Sequence, residues 1–152
     1  MSDMTPQGSG MEIVHLLRAV TVELGLHSAR FAQRNDMHPT DVRALIALMD
    51  AARAREEMTA GRLGAALGLN SAGTTALVDR LERAGHVRRV RGERDRRKVV
   101  IEVSEEAVEL GRAFFGPLMD RTMGLLRTYD ERETAAILGF LTGVRDAAAE
   151  RD

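Results

Sequence analysis

Residues 63–107 read LGAALGLNSAGTTALVDRLERAGHVRRVRGERDRRKVVIEVSEEA, and the order of signals in this stretch decides the fold. Its first residues continue a short helix that begins just upstream. Thr59 is placed to cap that helix, and Leu63 and Leu67 share its apolar face. Gly68 can take the left-handed conformation that ends a helix, with Leu69 tucked back beneath it. Asn70 or Ser71 caps the next helix, whose inward stripe is Leu77, Val78 and Leu81, and Gly85 ends it. Two short helices joined by a tight glycine-containing turn make a helix-turn-helix. The following HVRRVRGERDRRKVVIEV reads as two strands around a charged turn at Gly92 to Arg97. That hairpin is attached directly to the second helix.

Outward from this centre the pattern is helical. Ser104, with Glu105 and Glu106, starts a long helix carrying Val108, Phe114, Phe115, Leu118, Met119 and Leu125. Pro117 within it predicts a bend, because proline removes a backbone donor and crowds the preceding turn. A last helix begins near Asp130 and runs through Ile137, Leu138, Leu141 and Val144. Upstream, His38-Pro39-Thr40-Asp41 opens a helix, since proline fits a first turn whose N–H has no partner anyway. The polar run Ala51 to Glu57 reads as a linker or a frayed helix end, and Met11 to Phe31 as one long first helix. The start, MSDMTPQGSG, lacks the basic and apolar regions of a signal peptide and reads as a short disordered tail. The expected class is mainly α with a small β-hairpin wing. The expected divisions are a tail over 1–10, an N-terminal dimerisation helix over 11–35, a winged helix-turn-helix over 36–104, and C-terminal dimerisation helices over 105–152. The terminal helices carry more apolar surface than a small winged domain covers, so a homodimer is expected.

Composition narrows the function. The longest apolar runs are a few residues, far short of the ~20 needed to span a bilayer. With no cysteine there is no disulfide framework or zinc-thiolate site, and the chain reads as cytoplasmic. Net charge is −1, but its distribution is uneven: residues 58–104 hold 10 basic and 5 acidic side chains, against 12 and 18 in the flanks. A basic centre between acidic arms points one patch at a polyanion. No paired carboxylates, Ser–His–Asp set or Gly-rich phosphate loop stands out, so an enzyme and a cofactor are not expected. His15, His27 and His38 are not compactly spaced as metal ligands.

From Leu63 to Ala107 the chain resembles the MarR family of bacterial transcription regulators. The resemblance rests on the turn at Leu67 to Leu69, the run Val78-Asp79-Arg80-Leu81-Glu82, Gly85 before the first strand, and the triplet Asp95-Arg96-Arg97 at the wing tip. It implies a dimer that binds double-stranded DNA, usually as a repressor. Ala76 stands where the family often has arginine, and Gly73 where serine or threonine is common, leaving fewer long side chains for base edges.

On DNA, a recognition helix offers its first turns to the major groove. Asn70, Ser71, Ala72, Gly73, Thr74 and Thr75 occupy those turns, with hydroxyls for hydrogen bonds and threonine methyls for thymine, and Thr59 is a further DNA-binding candidate. Arg80 faces away from the apolar stripe, toward a phosphate or toward an ion pair with Asp79 or Glu82. The wing concentrates Arg91, Arg94, Arg96, Arg97 and Lys98 in eight positions. By resemblance, Arg94 or Arg96 enters the minor groove while Asp95 pairs with another arginine and holds the turn. The resemblance also implies a small aromatic or anionic effector, with His15, Arg18, Met49, Phe114, Phe115 and Met119 as candidate lining. Ordinary core packing is the competing account of the Phe and Met positions. The alternative function is a dimeric winged-helix interaction protein without specific DNA readout.

Overall fold

The computed structural model describes residues 6–150. The elements run α1 (Pro6–Arg34), α2 (Pro39–Arg53), α3 (Ala60–Leu67), α4 (Ser71–Arg83), β1 (Val87–Arg91), β2 (Val99–Val103), α5 (Glu105–Leu126) and α6 (Glu131–Ala149). The chain divides into two units, one reaching to Glu109 and the other beginning at Leu110.

The first unit has a continuous core. Ala44, Leu45 and Leu48 of α2 meet Leu63 of α3, Leu77, Val78 and Leu81 of α4, Val87 of β1 and Ile101 of β2. The two strands pair antiparallel, with Val87 opposite Val103 and Arg91 opposite Val99. The chain before α3 adds a fragment of a third strand. Thr59 bridges to Val100, and the Ile101 N–H donates to the Met58 carbonyl at 2.8 Å.

Local chemistry sets the joints. Gly85, at φ 79°, turns the chain from α4 into β1 in a conformation that costs a side-chain-bearing residue strain. The Ser104 hydroxyl donates to the Gly85 carbonyl at 2.7 Å and accepts from the Ala107 N–H at 3.2 Å. One side chain thus closes the base of the hairpin and caps α5. At the start of α2, the Asp41 carboxylate accepts the His38 N–H at 3.1 Å.

Among its described residues, the second unit has no such interior. α6 starts with a reciprocal cap: Asp130 accepts from the Glu133 N–H at 2.8 Å, and Glu133 accepts from the Asp130 N–H at 2.9 Å. None of its residues is buried, and Leu138 is 67% exposed.

Two features differ from the sequence expectations. Residues 6–10, expected in a disordered tail, form the first turns of α1, since Pro6 suits a first turn and glycine lowers helix propensity without forbidding a helix. Residues 1–5 of that tail lie outside the described residues. Helix α2 takes in residues 51–53 of the expected linker, since buried Ala51 still faces the core. Pro117 lies inside α5, where the sequence places it. Among the described residues, no helix is long and apolar enough to cross a membrane.

Candidate nucleic-acid interface

Helices α3 and α4 are held by caps at both sides of their turn. Thr59 accepts the Arg62 N–H at 3.3 Å, and Asn70 accepts the Gly73 N–H at 2.8 Å. Gly68 takes φ 69°, and the Leu69 N–H returns to the Gly64 carbonyl at 2.8 Å. The helices approach so closely at Gly64 that a Cβ there would lie within 2.4 Å of the Thr74 hydroxyl oxygen. A side chain there would have to displace the Thr74 hydroxyl and crowd the Leu69 carbonyl.

That contact corrects one expectation. Thr74 is buried against Gly64, and its hydroxyl donates to the Asn70 carbonyl at 2.8 Å. It sits on the inward stripe, three residues before Leu77 and four before Val78, so it is not available to a base edge. Asn70 and Thr59 spend their side-chain oxygens on helix caps. The exposed face of α4 is built from Ser71, Ala72, Thr75 and Ala76, with Gly73 half-buried beside it. Over these first turns it is small, uncharged and closely approachable.

Arg80 is the second correction. Its guanidinium pairs with neither Asp79 nor Glu82, and its side chain stays 41% exposed. It makes a two-pronged pair with Asp41, its Nε donating to Oδ2 at 3.2 Å and its Nη2 to Oδ1. The Asp41 side chain is 3% exposed. The hydrogen bonds that Arg80 donates to Asp41, opposed by burial, raise the Arg80 pKa above its ordinary value. One buried carboxylate therefore caps α2 and anchors the middle of α4.

Asp79 and Glu82 have a different partner, which sequence reading missed. Arg89 of β1 donates to Asp79 Oδ1 at 2.7 Å and to Glu82 Oε1 at 2.8 Å, and its backbone N–H reaches Glu82 Oε2 at 3.3 Å. The Asp79 hydrogen bond is the main cause that raises the Arg89 pKa. The wing is thus joined to α4 by charge as well as by chain.

The wing tip is organised without using all its arginines. Gly92 N–H donates to the Lys98 carbonyl at 2.9 Å, and Lys98 N–H to the Asp95 carbonyl at 3.1 Å. Asp95 accepts from the Arg97 N–H at 3.0 Å and from Arg97 Nε at 3.3 Å, and these bonds hold its carboxyl below its ordinary range. This is the turn-holding pair expected of Asp95. Arg91 braces the tip by donating to the Arg96 carbonyl at 3.2 Å. Glu57, also missed, reaches across 36 positions to accept the Glu93 N–H at 3.0 Å, and it accepts the Arg94 N–H at 3.3 Å. A Cβ on Gly92 would stand 2.6 Å from the Asp95 carbonyl oxygen, so only glycine fits this latch without a backbone shift. Among the described residues, the exposed guanidinium groups of Arg94 and Arg96 have no carboxylate within 4.0 Å. Nothing in the amino-acid pattern marks Glu57, because its partners are backbone groups of a distant turn.

Of the effector candidates, His15, Arg18 and Met49 belong to the first unit and Phe114, Phe115 and Met119 to the second. His15 and Arg18 lie one turn apart on α1 and line an open cleft with Ala19 and Val22. Met49 packs against the core of the first unit. Phe114 and Phe115 stack edge to face, 5.1 Å between ring centres, and Met119 is 60% exposed; all three lie in the second unit.

A helix-turn-helix with its exposed helix face beside an arginine-tipped hairpin defines a winged helix-turn-helix protein. Residues 35–98 match the model of the MarR family. The chain is 37% identical to YcgE of Bacillus subtilis (strain 168), an uncharacterized HTH-type transcriptional regulator, over 90% of this chain and 86% of that one. It therefore belongs to the MarR family of helix-turn-helix transcriptional regulators, which are not enzymes. The fold is also that of S. aureus MepR. A point mutant of MepR from a multidrug resistant clinical isolate aligns at a TM-score of 0.71 with 19% identity, covering 90% of this chain and 96% of that one. MepR has also been solved in complex with DNA, at a TM-score of 0.56, 18% identity and coverage of 89% and 98%. It has been solved bound to ethidium bromide as well, at a TM-score of 0.58, 18% identity and coverage of 89% and 95%.

Proposed function

We propose that this regulator is a ligand-responsive repressor, acting in the cytoplasm as a homodimer on a pseudopalindromic operator. The observation that carries the DNA contact is the wing tip, where Arg94 and Arg96 are exposed without carboxylate partners while Arg91, Asp95 and Arg97 hold the turn. Arginines on such a hairpin suit the concentrated negative potential of a narrow minor groove. Helix α4 then enters the major groove, where Ser71 and Thr75 reach base edges and Ala72, Gly73 and Ala76 permit close approach. A twofold dimer sets two such helices about one DNA turn apart, ~34–36 Å. The exposed apolar faces of α1, α5 and α6 support association with a second copy.

The effector reading has a narrower basis. His15 and Arg18 offer one histidine and one fixed cation on a shared helix face, which suits an anionic ligand. MepR supplies a precedent for a bound aromatic cation in the same fold. A ligand regulates only if it binds one spacing of the recognition helices better than another.

Binding to a selected duplex, measured across salt concentrations, tests the DNA contact. Arg94→Ala and Arg96→Ala each weaken binding to every duplex, and at least one lowers the log–log salt slope by ~0.9, one phosphate contact. Thr75→Ala shifts preference between operators instead. Unchanged slopes in both arginine variants would remove the wing from the interface.

A further inference from the structure

The same exposed stripe of α4 that carries Ser71 and Thr75 also carries two acids. At about 3.6 residues per turn, Asp79 falls one turn beyond Thr75 and Glu82 about two turns beyond it. Both side chains are solvent-accessible, 50% and 44% exposed. Their placement is doubly unfavourable within the helix. They are like charges three residues apart, and they stand in the C-terminal half of α4, where the helix dipole disfavours anions. On a helix laid into a groove, two carboxylates there would also face phosphates. Arg89 reaches both at once from the neighbouring strand.

We propose that Arg89 is a counter-charge for the recognition helix: it screens Asp79 and Glu82 from the DNA backbone and does not itself contact DNA. The role rests on the reading of α4 and the wing as the DNA-binding face. Arg89 is suited to it because its guanidinium spans both acids at once. Two nitrogens of its guanidinium are bound to two carboxylates, and its own N–H is bound to Glu82. The nearby Arg83 does not substitute, since its Nε donates to the Asp79 backbone carbonyl at 3.3 Å. Arg89 is therefore a positioning residue that acts through the two acids, and the consequence is a particular pattern of epistasis.

The test compares the full-length protein with Arg89→Ala, with the double variant Asp79→Asn/Glu82→Gln, and with the triple variant combining all three substitutions. Each is titrated with the same duplex at several salt concentrations, after thermal melts establish that it folds. Arg89→Ala should bind about tenfold more weakly in dilute salt, with the deficit shrinking as salt screens the exposed carboxylates. The triple variant should recover to within about threefold of the unaltered protein. The double variant, which frees Arg89 beside a polyanion, should bind more tightly than the unaltered protein in dilute salt. A triple variant as weak as Arg89→Ala overturns the proposal, because Arg89 would then act on DNA directly or by seating the wing. If Arg89→Ala does not fold, the double variant still decides: binding no tighter than the unaltered protein sinks the idea. Failure of the unaltered protein to bind any duplex would defeat the DNA-binding reading itself, a different result from binding that ignores position 89.

Discussion

The winged unit and the last helix solve the burial of apolar surface in opposite ways. In the winged unit, Leu63, Leu77, Val78 and Leu81 are almost completely removed from water, and the charged groups around them are tied into pairs. In α6, Leu138, Phe140 and Leu141 are exposed, and no residue is buried. Helices α4 and α6 are both well capped, so local helix signals do not distinguish them. The difference lies in what covers the apolar stripe. A unit with its own interior is stabilised within one chain, whereas a helix with none depends on surface from elsewhere, which a second copy would supply. The first region should therefore be sensitive to substitutions that leave a void, and the second, under the proposed homodimer, to protein concentration.

The largest effect should come from the interior. Leu63 is fully buried at the junction of α2, α3 and α4, so Leu63→Ala should cost the winged unit about 2–5 kcal/mol, read by denaturant unfolding. A loss below about 1 kcal/mol would mean that this core is loosely packed. The contrast can be broken from the other side with Leu138→Glu. Placed on an exposed position, it should change the unfolding of the winged unit by no more than about 0.5 kcal/mol. If the proposed dimer uses this face of α6, sedimentation should nevertheless show the variant dissociating at concentrations where the unaltered protein associates. A dimer that survives this charge does not use that face of α6.

A smaller effect belongs to Arg80, where the first unit buries a charge. Arg80→Ala leaves Asp41 buried without its two donors, and the pair is partly open to water on the arginine side. The expected cost is about 1–3 kcal/mol, with Asp41→Asn/Arg80→Met recovering part of it. The same pair shows where sequence reading stops. The helix-turn-helix was legible because its determinants are local: a cap at Thr59, a left-handed Gly68, a cap at Asn70 and a 3.6-residue stripe. For Arg80, sequence points to Asp79 and Glu82 because they are its neighbours along the helix. Its actual partner lies 39 positions away, and those neighbours are taken by a strand arginine. Long-range pairing depends on how helices cross, which periodicity does not encode. Thr74 differs in kind, since its place on the Leu77–Leu81 stripe is readable from spacing alone. A position in the first turn does not by itself turn a side chain outward.

The smallest effect concerns the wing and is a matter of pH. The Asp95 carboxylate is held below its ordinary value first by the Arg97 N–H and then by the Arg97 side chain. A folded-state pKa below the unfolded one means that the contribution is fully present above the ordinary carboxylate value and fades as pH falls through the lowered one. The turn therefore keeps this contact throughout the neutral range. Asp95→Asn should abolish the acid-side dependence of the wing signals, followed by amide chemical shifts of Arg96 and Arg97 during acid titration. It should leave the melting of the core almost unchanged, because the substituted side chain lies on the exposed turn. A wing that titrates identically in both proteins would show that the turn is held by Glu57 and the backbone bonds of Gly92 and Lys98 alone.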